Sequence, residues 1–172
     1  LGPLVLGVPG VLGIAVRDMK FTDWSARIDT DLTGACLVSR RFLNHKTTEW
    51  PRSIIHISSI HAFAVRAGGA GYCAAKGGLK NLVETLAIEE AANGVRVNAI
   101  EPGMILTQMN SRALTDLPYR RSLEKNIPVK RAGRPEEVAR LAVWLASEEA
   151  GYITGASIVI DGGLSLLAAV GA

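Results

Sequence analysis

Residues 71–78, GYCAAKGG, set a phenol, Tyr72, and an ammonium, Lys76, four positions apart among side chains too small to fill a core. On a helix that spacing stacks the two on one face. An ammonium one turn from a phenol favours the phenolate and lowers the tyrosine pKa, which makes the hydroxyl a usable proton donor or acceptor near neutrality. Upstream, the apolar run SIIHIS ends at Ser58-Ser59, and a loop of small residues returns the chain to Tyr72. The Ser59 hydroxyl is suited to hydrogen-bond a substrate oxygen beside the phenol.

These groups need elements to hold them. Short β-rich runs alternate with helical patterns: a strand at 4–8, a helix at about 22–45, the strand SIIHIS, a helix at about 72–92, the strand VRVNAI, a helix at about 135–146 and the strand ASIVI. Such alternation predicts βαβ units and a parallel sheet with helices on its faces. Ligands bind at the carboxyl ends of such strands, which puts Ser59 beside the start of the next helix. Along that helix Leu79, Leu82, Val83 and Leu86 form an apolar stripe, and Asn93-Gly94 supplies a left-handed cap. Tyr72 and Lys76 share the face of Leu79 and Val83, so the lysine points inward. An inward lysine either snorkels to solvent or holds its charge against a partner, and the sequence leaves both open. Pro135, Glu136 and Glu137 mark the start of the last long helix, whose stripe is Val138, Leu141, Ala142 and Leu145.

Composition narrows the class. The 172 residues are 48% hydrophobic and 20% charged, which suits one soluble globular domain over 1–172. With a net charge of +3 and basic residues spread along the chain, nothing resembles a nucleic-acid footprint. Cys36 and Cys73 have no C-x-x-C partner, so neither a zinc site nor a disulfide framework is expected, and a reducing cytoplasm fits. No apolar run reaches the length of a membrane span, and the opening LGPLVLGVPGVLG lacks a basic start and is broken by Pro3 and Pro9. His56 and His61 flank the serines, but Ser59 lacks the G-x-S-x-G elbow of a hydrolase. Trp24, Trp50 and Trp144 are too scattered for a stacking platform.

Ser59, Tyr72 and Lys76 in Y-x-x-x-K spacing, followed by VRVNAIEPGMILT and ITGASIVIDGG, resemble the classical short-chain dehydrogenase/reductase family over about residues 18–163. The resemblance implies an α/β fold with a Rossmann-like doubly wound parallel sheet, of which this chain carries the C-terminal part, strands four to seven and their helices. It implies Tyr72 as general acid/base, Ser59 as the group that positions the carbonyl or alcohol, and Lys76 as the lysine that lowers the tyrosine pKa and binds the nicotinamide ribose. It further implies NAD or NADP as cofactor, with Pro102-Gly103 turning over the nicotinamide, the Ile105 backbone at its carboxamide and Thr107 on its phosphate side. Residues 107–130 fall where the family has a substrate lid, the substrate is a small alcohol or carbonyl compound, and the helices at 22–45 and 72–92 are those through which members form homotetramers.

Two departures stand out. DLTG puts Asp31 where the family has the asparagine of N-L-x-G, which helps hold a water in the proton relay, so weakened or pH-shifted activity is expected. No T-G-x-x-x-G-x-G phosphate loop occurs, and the family's NNAG is reduced to GVPG at 7–10. With the opening Leu1, this leads to the expectation of a truncated chain lacking roughly 70 to 80 residues of βαβ structure. Segments such as DWSARIDTDLTGACL, YCAAKGGLKNLVETLAIEEA and WLASEEAGYITG look most like glucose 1-dehydrogenases, then 3-oxoacyl-carrier-protein reductases. The competing reading is a non-enzymatic oligomerising module.

Overall fold

The structure, a computed structural model, describes residues 13–45 and 52–167. The strand expected at 4–8, the GVPG at 7–10 and Trp50 lie outside the described residues. The described strands β1 (Arg52–Ile57), β2 (Val95–Pro102) and β3 (Ser157–Ile160) form one parallel sheet in the order β1-β2-β3. Ile54 pairs with Val97, His56 with Ala99, and Ala99 in turn with Ser157.

Parallel neighbours need a crossover, and the predicted helices supply it. The chain crosses from β1 to β2 through α3 (Ala70–Glu90), preceded by α1 (Phe21–Ile28) and α2 (Gly34–Leu43). From β2 to β3 it passes through the insert helices α4 (Ser111–Thr115) and α5 (Leu117–Glu124), then α6 (Pro135–Ala146); the short α7 (Leu164–Leu167) follows β3. Val83 and Ala87 of α3 pack on Val95, Val97 and Ala99. Ile100 meets Leu145 of α6 within a second apolar cluster that includes Ile55, Ile57, Ile158 and Ile160. The two helices therefore cover opposite faces of the sheet, as the doubly wound expectation requires.

Gly94 takes φ +68° after α3 and its 3-10 turn, so the cap falls where the sequence put it. The helix expected over 22–45 is different: a π turn, Asp29–Thr33, separates α1 from α2. Such turns insert a residue into the helical register and frequently mark functional sites. This one carries the buried Asp31. Asn98, fully buried on β2, donates to the Ile153 carbonyl at 2.9 Å and accepts from the Ala156 amide at 3.0 Å, which fixes the turn into β3. No helix among the described residues is long and apolar enough to cross a membrane.

Candidate active site

The site grows from the carboxyl end of β1. Ser58 continues the ladder by donating its amide to Ile100 O at 2.8 Å. Ser59 then opens a 3-10 turn, and its hydroxyl oxygen accepts the His61 amide at 3.2 Å, which fixes the side chain's direction. The chain returns through Gly69, whose carbonyl accepts the Cys73 amide at 2.8 Å in the first turn of α3. That turn presents Tyr72 towards Ser59, whose hydroxyl favours the phenolate. The His61 ring stands edge-on to the Tyr72 ring at 5.9 Å, oriented by Nδ1–H donating to Ala64 O at 2.7 Å.

Lys76 lies one turn further along α3. It is 6% exposed, so it does not snorkel. Its ammonium donates to Ile57 O at 3.3 Å, sits 3.7 Å from Asp31 Oδ1 and approaches the Tyr72 ring centroid to 5.6 Å. Asp31 receives a second cation on its other oxygen, with Arg27 Nη1 at 3.3 Å from Oδ2. The guanidinium carbon of Arg27 is 5.6 Å from the Tyr72 ring centroid.

Burial is the largest influence on both titrating groups. It pushes the Lys76 pKa down against the opposing pull of Asp31, and Arg27 lowers it further. It pushes the Tyr72 phenol above its ordinary value; the Ser59 hydroxyl and Arg27 work the other way, while Asp31 adds to the rise. The expected pull of Lys76 on the tyrosine pKa is thus set against a larger opposing effect of burial. Lys76 directs its ammonium to Ile57 O and Asp31, and desolvation of the phenolate outweighs the favourable interactions.

The other site residues lie on the loop leaving β2, beside the end of β1. Pro102 ends the strand and Gly103 donates its amide to Ile160 O at 3.1 Å. A Cβ on Gly103 would stand 2.6 Å from Asp161 Cβ and 3.0 Å from its Cα, so only glycine fits this contact. Asp161 is itself fixed. Burial alone would raise its pKa, but bonds from the Gly163 and Ser165 amides at 2.7 and 2.6 Å hold it below its ordinary range. Ile105 bridges to Gly133, and its carbonyl accepts Asn110 Nδ2 at 2.7 Å. Thr107, in extended backbone, begins the insert as N-cap of its first 3-10 turn.

Ser59, Tyr72, Lys76 and Asp31 thus come together, and Pro102, Gly103, Ile105 and Thr107 form the adjoining loop. The residues present fit a dinucleotide's ribose and nicotinamide end in two respects. The Ser58 hydroxyl is buried without a hydrogen-bond partner among the described residues. The Lys76 ammonium has three donors; Ile57 O takes one, and Asp31 stands at ion-pair distance, 3.7 Å. Sequence reasoning missed Arg27 and the role of His61 beside Tyr72. The i,i+4 spacing of Arg27 and Asp31 was a readable signal for the first; the second follows from the turn after β1, which has no periodicity to read.

His56 is not part of a triad. Ser39 gives its single hydroxyl proton to Ala35 O at 2.9 Å, so it accepts from His56 Nε2–H at 3.0 Å. Burial, aided by the nearby charge of Lys76, lowers the His56 pKa to about 4 and leaves the ring neutral at pH 7.

A parallel α/β sheet gathers serine, tyrosine and lysine at the carboxyl ends of its strands, a set suited to moving a proton at a bound oxygen. Residues 6–165 match the family model described as enoyl-(acyl carrier protein) reductase. Over 151 residues the chain is 42% identical to glucose 1-dehydrogenase 2 of Bacillus subtilis, covering 87% of this chain and 58% of that protein. It is 40% identical over 147 residues to the 3-oxoacyl-acyl-carrier-protein reductase of Chlamydia pneumoniae, covering 86% of this chain and 58% of that one. Among solved structures, the NADPH-bound short chain oxidoreductase of Pseudomonas aeruginosa PAO1, described as containing an atypical catalytic center, superposes with a TM-score of 0.82 at 30% identity, over 90% of this chain and 62% of that one. The chain belongs to the short-chain dehydrogenase/reductase family. It spans under two thirds of the length of these relatives.

Proposed function

We propose that the protein carrying this chain is an NAD- or NADP-dependent oxidoreductase interconverting a small alcohol and its carbonyl compound, with a sugar of the glucose type as substrate. The observation that carries this reading is the convergence of Ser59, Tyr72 and Lys76 at the end of β1 and the start of α3, with the Lys76 ammonium on Ile57 O and 5.6 Å from the Tyr72 ring centroid. The likeness to glucose 1-dehydrogenase 2 supports the sugar. A nicotinamide dinucleotide, when bound, supplies the hydride acceptor or donor.

The chain's own residues handle the proton and the orientation. In the oxidising direction Tyr72 Oη, as phenolate, takes the proton of the alcohol while Ser59 Oγ hydrogen-bonds the same oxygen; in reduction Tyr72 returns it. Lys76 holds a ribose hydroxyl with its remaining donor and, as a cation 5.6 Å from the Tyr72 ring centroid, favours the phenolate. Pro102, Gly103, Ile105 and Thr107 line the nicotinamide side. Residues 107–130 close over the substrate as a lid that excludes water. The same reading places the protein in the cytoplasm, which the two free thiols Cys36 and Cys73 support. It includes a homotetramer formed through α2 and α3, supported by the exposed apolar Leu37, Val38 and Ile88 on those helices. A second reading, reduction of 3-oxoacyl-carrier-protein substrates, is favoured by the comparable identity to the Chlamydia enzyme.

The test is a spectrophotometric assay of the full-length protein with NAD and NADP against glucose, related sugars and 3-oxoacyl thioesters. Glucose oxidation supports the first reading and thioester reduction the second. Tyr72→Phe is expected to lower turnover by about 10²- to 10⁴-fold with little change in melting temperature. Full activity of that variant would remove Tyr72 from the chemistry.

A further inference from the structure

Asp31 is a carboxylate whose side chain is 3% exposed, a position where a charge persists only if it is compensated. Two cations share it. Lys76 comes from α3 and stands 3.7 Å from Oδ1. Arg27 comes from one turn earlier on its own helix and bonds Oδ2 at 3.3 Å. Arg27 reaches this place because α1 runs close against a glycine in the first turn of α3: a Cβ on Gly71 would touch Arg27 Cβ and Cγ at 3.5 Å. Its guanidinium, on a side chain 11% exposed, ends near both Asp31 and the Tyr72 ring.

We propose that Arg27 is a positioning residue of the site, which takes one oxygen of Asp31 and so limits the share of that carboxylate's charge that falls on Lys76 and Tyr72. The inference rests on the reading of Tyr72 as the acid/base group. With Arg27 in place, the Lys76 ammonium keeps a donor for a ligand and the phenolate faces a carboxylate already half neutralised. Without it, the full charge of Asp31 turns toward Lys76 and the phenol. The groups facing Tyr72 are Arg27 and Asp31 from α1 and the π turn, Cys73 and Lys76 from α3, and Ser59 and His61 from the turn after β1. Of the two charges at issue, Asp31 opposes ionisation of the phenol and Arg27 favours it.

The experiment is a titration of the full-length protein carrying tyrosine labelled with ¹³C at Cζ, the Tyr72 resonance being assigned by its loss in Tyr72→Phe. Arg27→Gln is expected to raise the Tyr72 pKa and Asp31→Asn to lower it. In the Asp31→Asn background, Arg27→Gln is expected to produce a smaller rise, because the charge it screens is gone. Arg27→Lys retains the cation and is expected to shift the phenol less than Arg27→Gln; it also serves if the glutamine variant does not fold. The acid limb of alcohol oxidation moves with the phenol, so Arg27→Gln oxidises roughly threefold to tenfold more slowly there. An unchanged or lowered pKa in Arg27→Gln, a rise in Arg27→Lys as large as in Arg27→Gln, or equal shifts with and without Asp31, would overturn the inference. The titration needs no turnover. A wild-type protein that turns over with NAD or NADP but shows no Arg27 dependence refutes this inference alone, whereas the expected shifts in a protein inactive with every tested pair refute the functional reading alone.

Discussion

On the face of the sheet covered by α6, Ile55, Ile57, Ile100, Ile158 and Ile160 meet Val138, Leu141, Ala142 and Leu145, an aliphatic layer. On the face covered by α3, Ile54, Val97 and Ala99 share their layer with His56 and Glu101, and Lys76 reaches the end of β1. The same strands supply both layers, since successive side chains alternate between faces. The first face stabilises mainly by area removed from water, and its one fully buried polar side chain on the described strands, Asn98, is spent on the turn into β3. The second also buries groups that require named partners: Lys76 has Asp31 and Ile57 O, and His56 has Ser39. Glu101 is less well served. One of its carboxylate oxygens lacks a hydrogen-bond partner among the described residues, and burial raises its pKa. One face therefore anchors the sheet, and the other holds buried titratable groups at a cost in stability.

The contrast can be sharpened by experiment. Leu145→Ala, at a fully buried position of the aliphatic layer, is expected to destabilise the protein by about 2 to 5 kcal/mol in urea unfolding, with turnover per folded molecule retained. If turnover fell with the fold intact, the two faces would not be separable.

Acid should act through the polar face. His56 has a folded pKa of about 4 against an ordinary 6.5, so the unfolded chain binds a proton that the folded chain resists. Its contribution is fully present above about pH 6.5 and is lost as the pH falls from there towards about 4, amounting to about 3 kcal/mol. Urea unfolding at a series of pH values should show this slope in the wild type and a shallower one in His56→Gln. Equal slopes would mean that His56 is not held neutral.

The smallest effect concerns one hydrogen bond on that face. Ser39→Ala removes the acceptor of His56 Nε2–H and is expected to destabilise by about 1 to 3 kcal/mol, read as a lower denaturation midpoint. A neutral result would show that the imidazole finds another partner.

Much of this architecture was legible beforehand. α6 runs over the predicted residues because Pro135 and the acidic first turn mark its start and its stripe repeats every three to four residues. β1 and β2 fall on SIIHIS and VRVNAI, and Gly94 takes its left-handed conformation after α3. The shared face of Tyr72 and Lys76 follows from helical periodicity alone. The break at Asp29–Thr33 was not legible, because a π turn changes hydrogen-bond register without a distinctive composition.

The division follows from the range of the forces involved. Helix stripes, strand alternation, caps and the spacing of Tyr72 from Lys76 depend on neighbours within a few residues, and the sequence by itself determined them. Whether Lys76 snorkels or stays buried, whether His56 is charged, and which side chains surround Tyr72 depend on groups far apart in the chain. Asp31 meets Lys76 across the contact of the π turn with α3, and Ser39 meets His56 across that of α2 with β1. Only the tertiary structure decided these, because desolvation and charge compensation are set by which elements pack together, and that is not written in the spacing of any one of them.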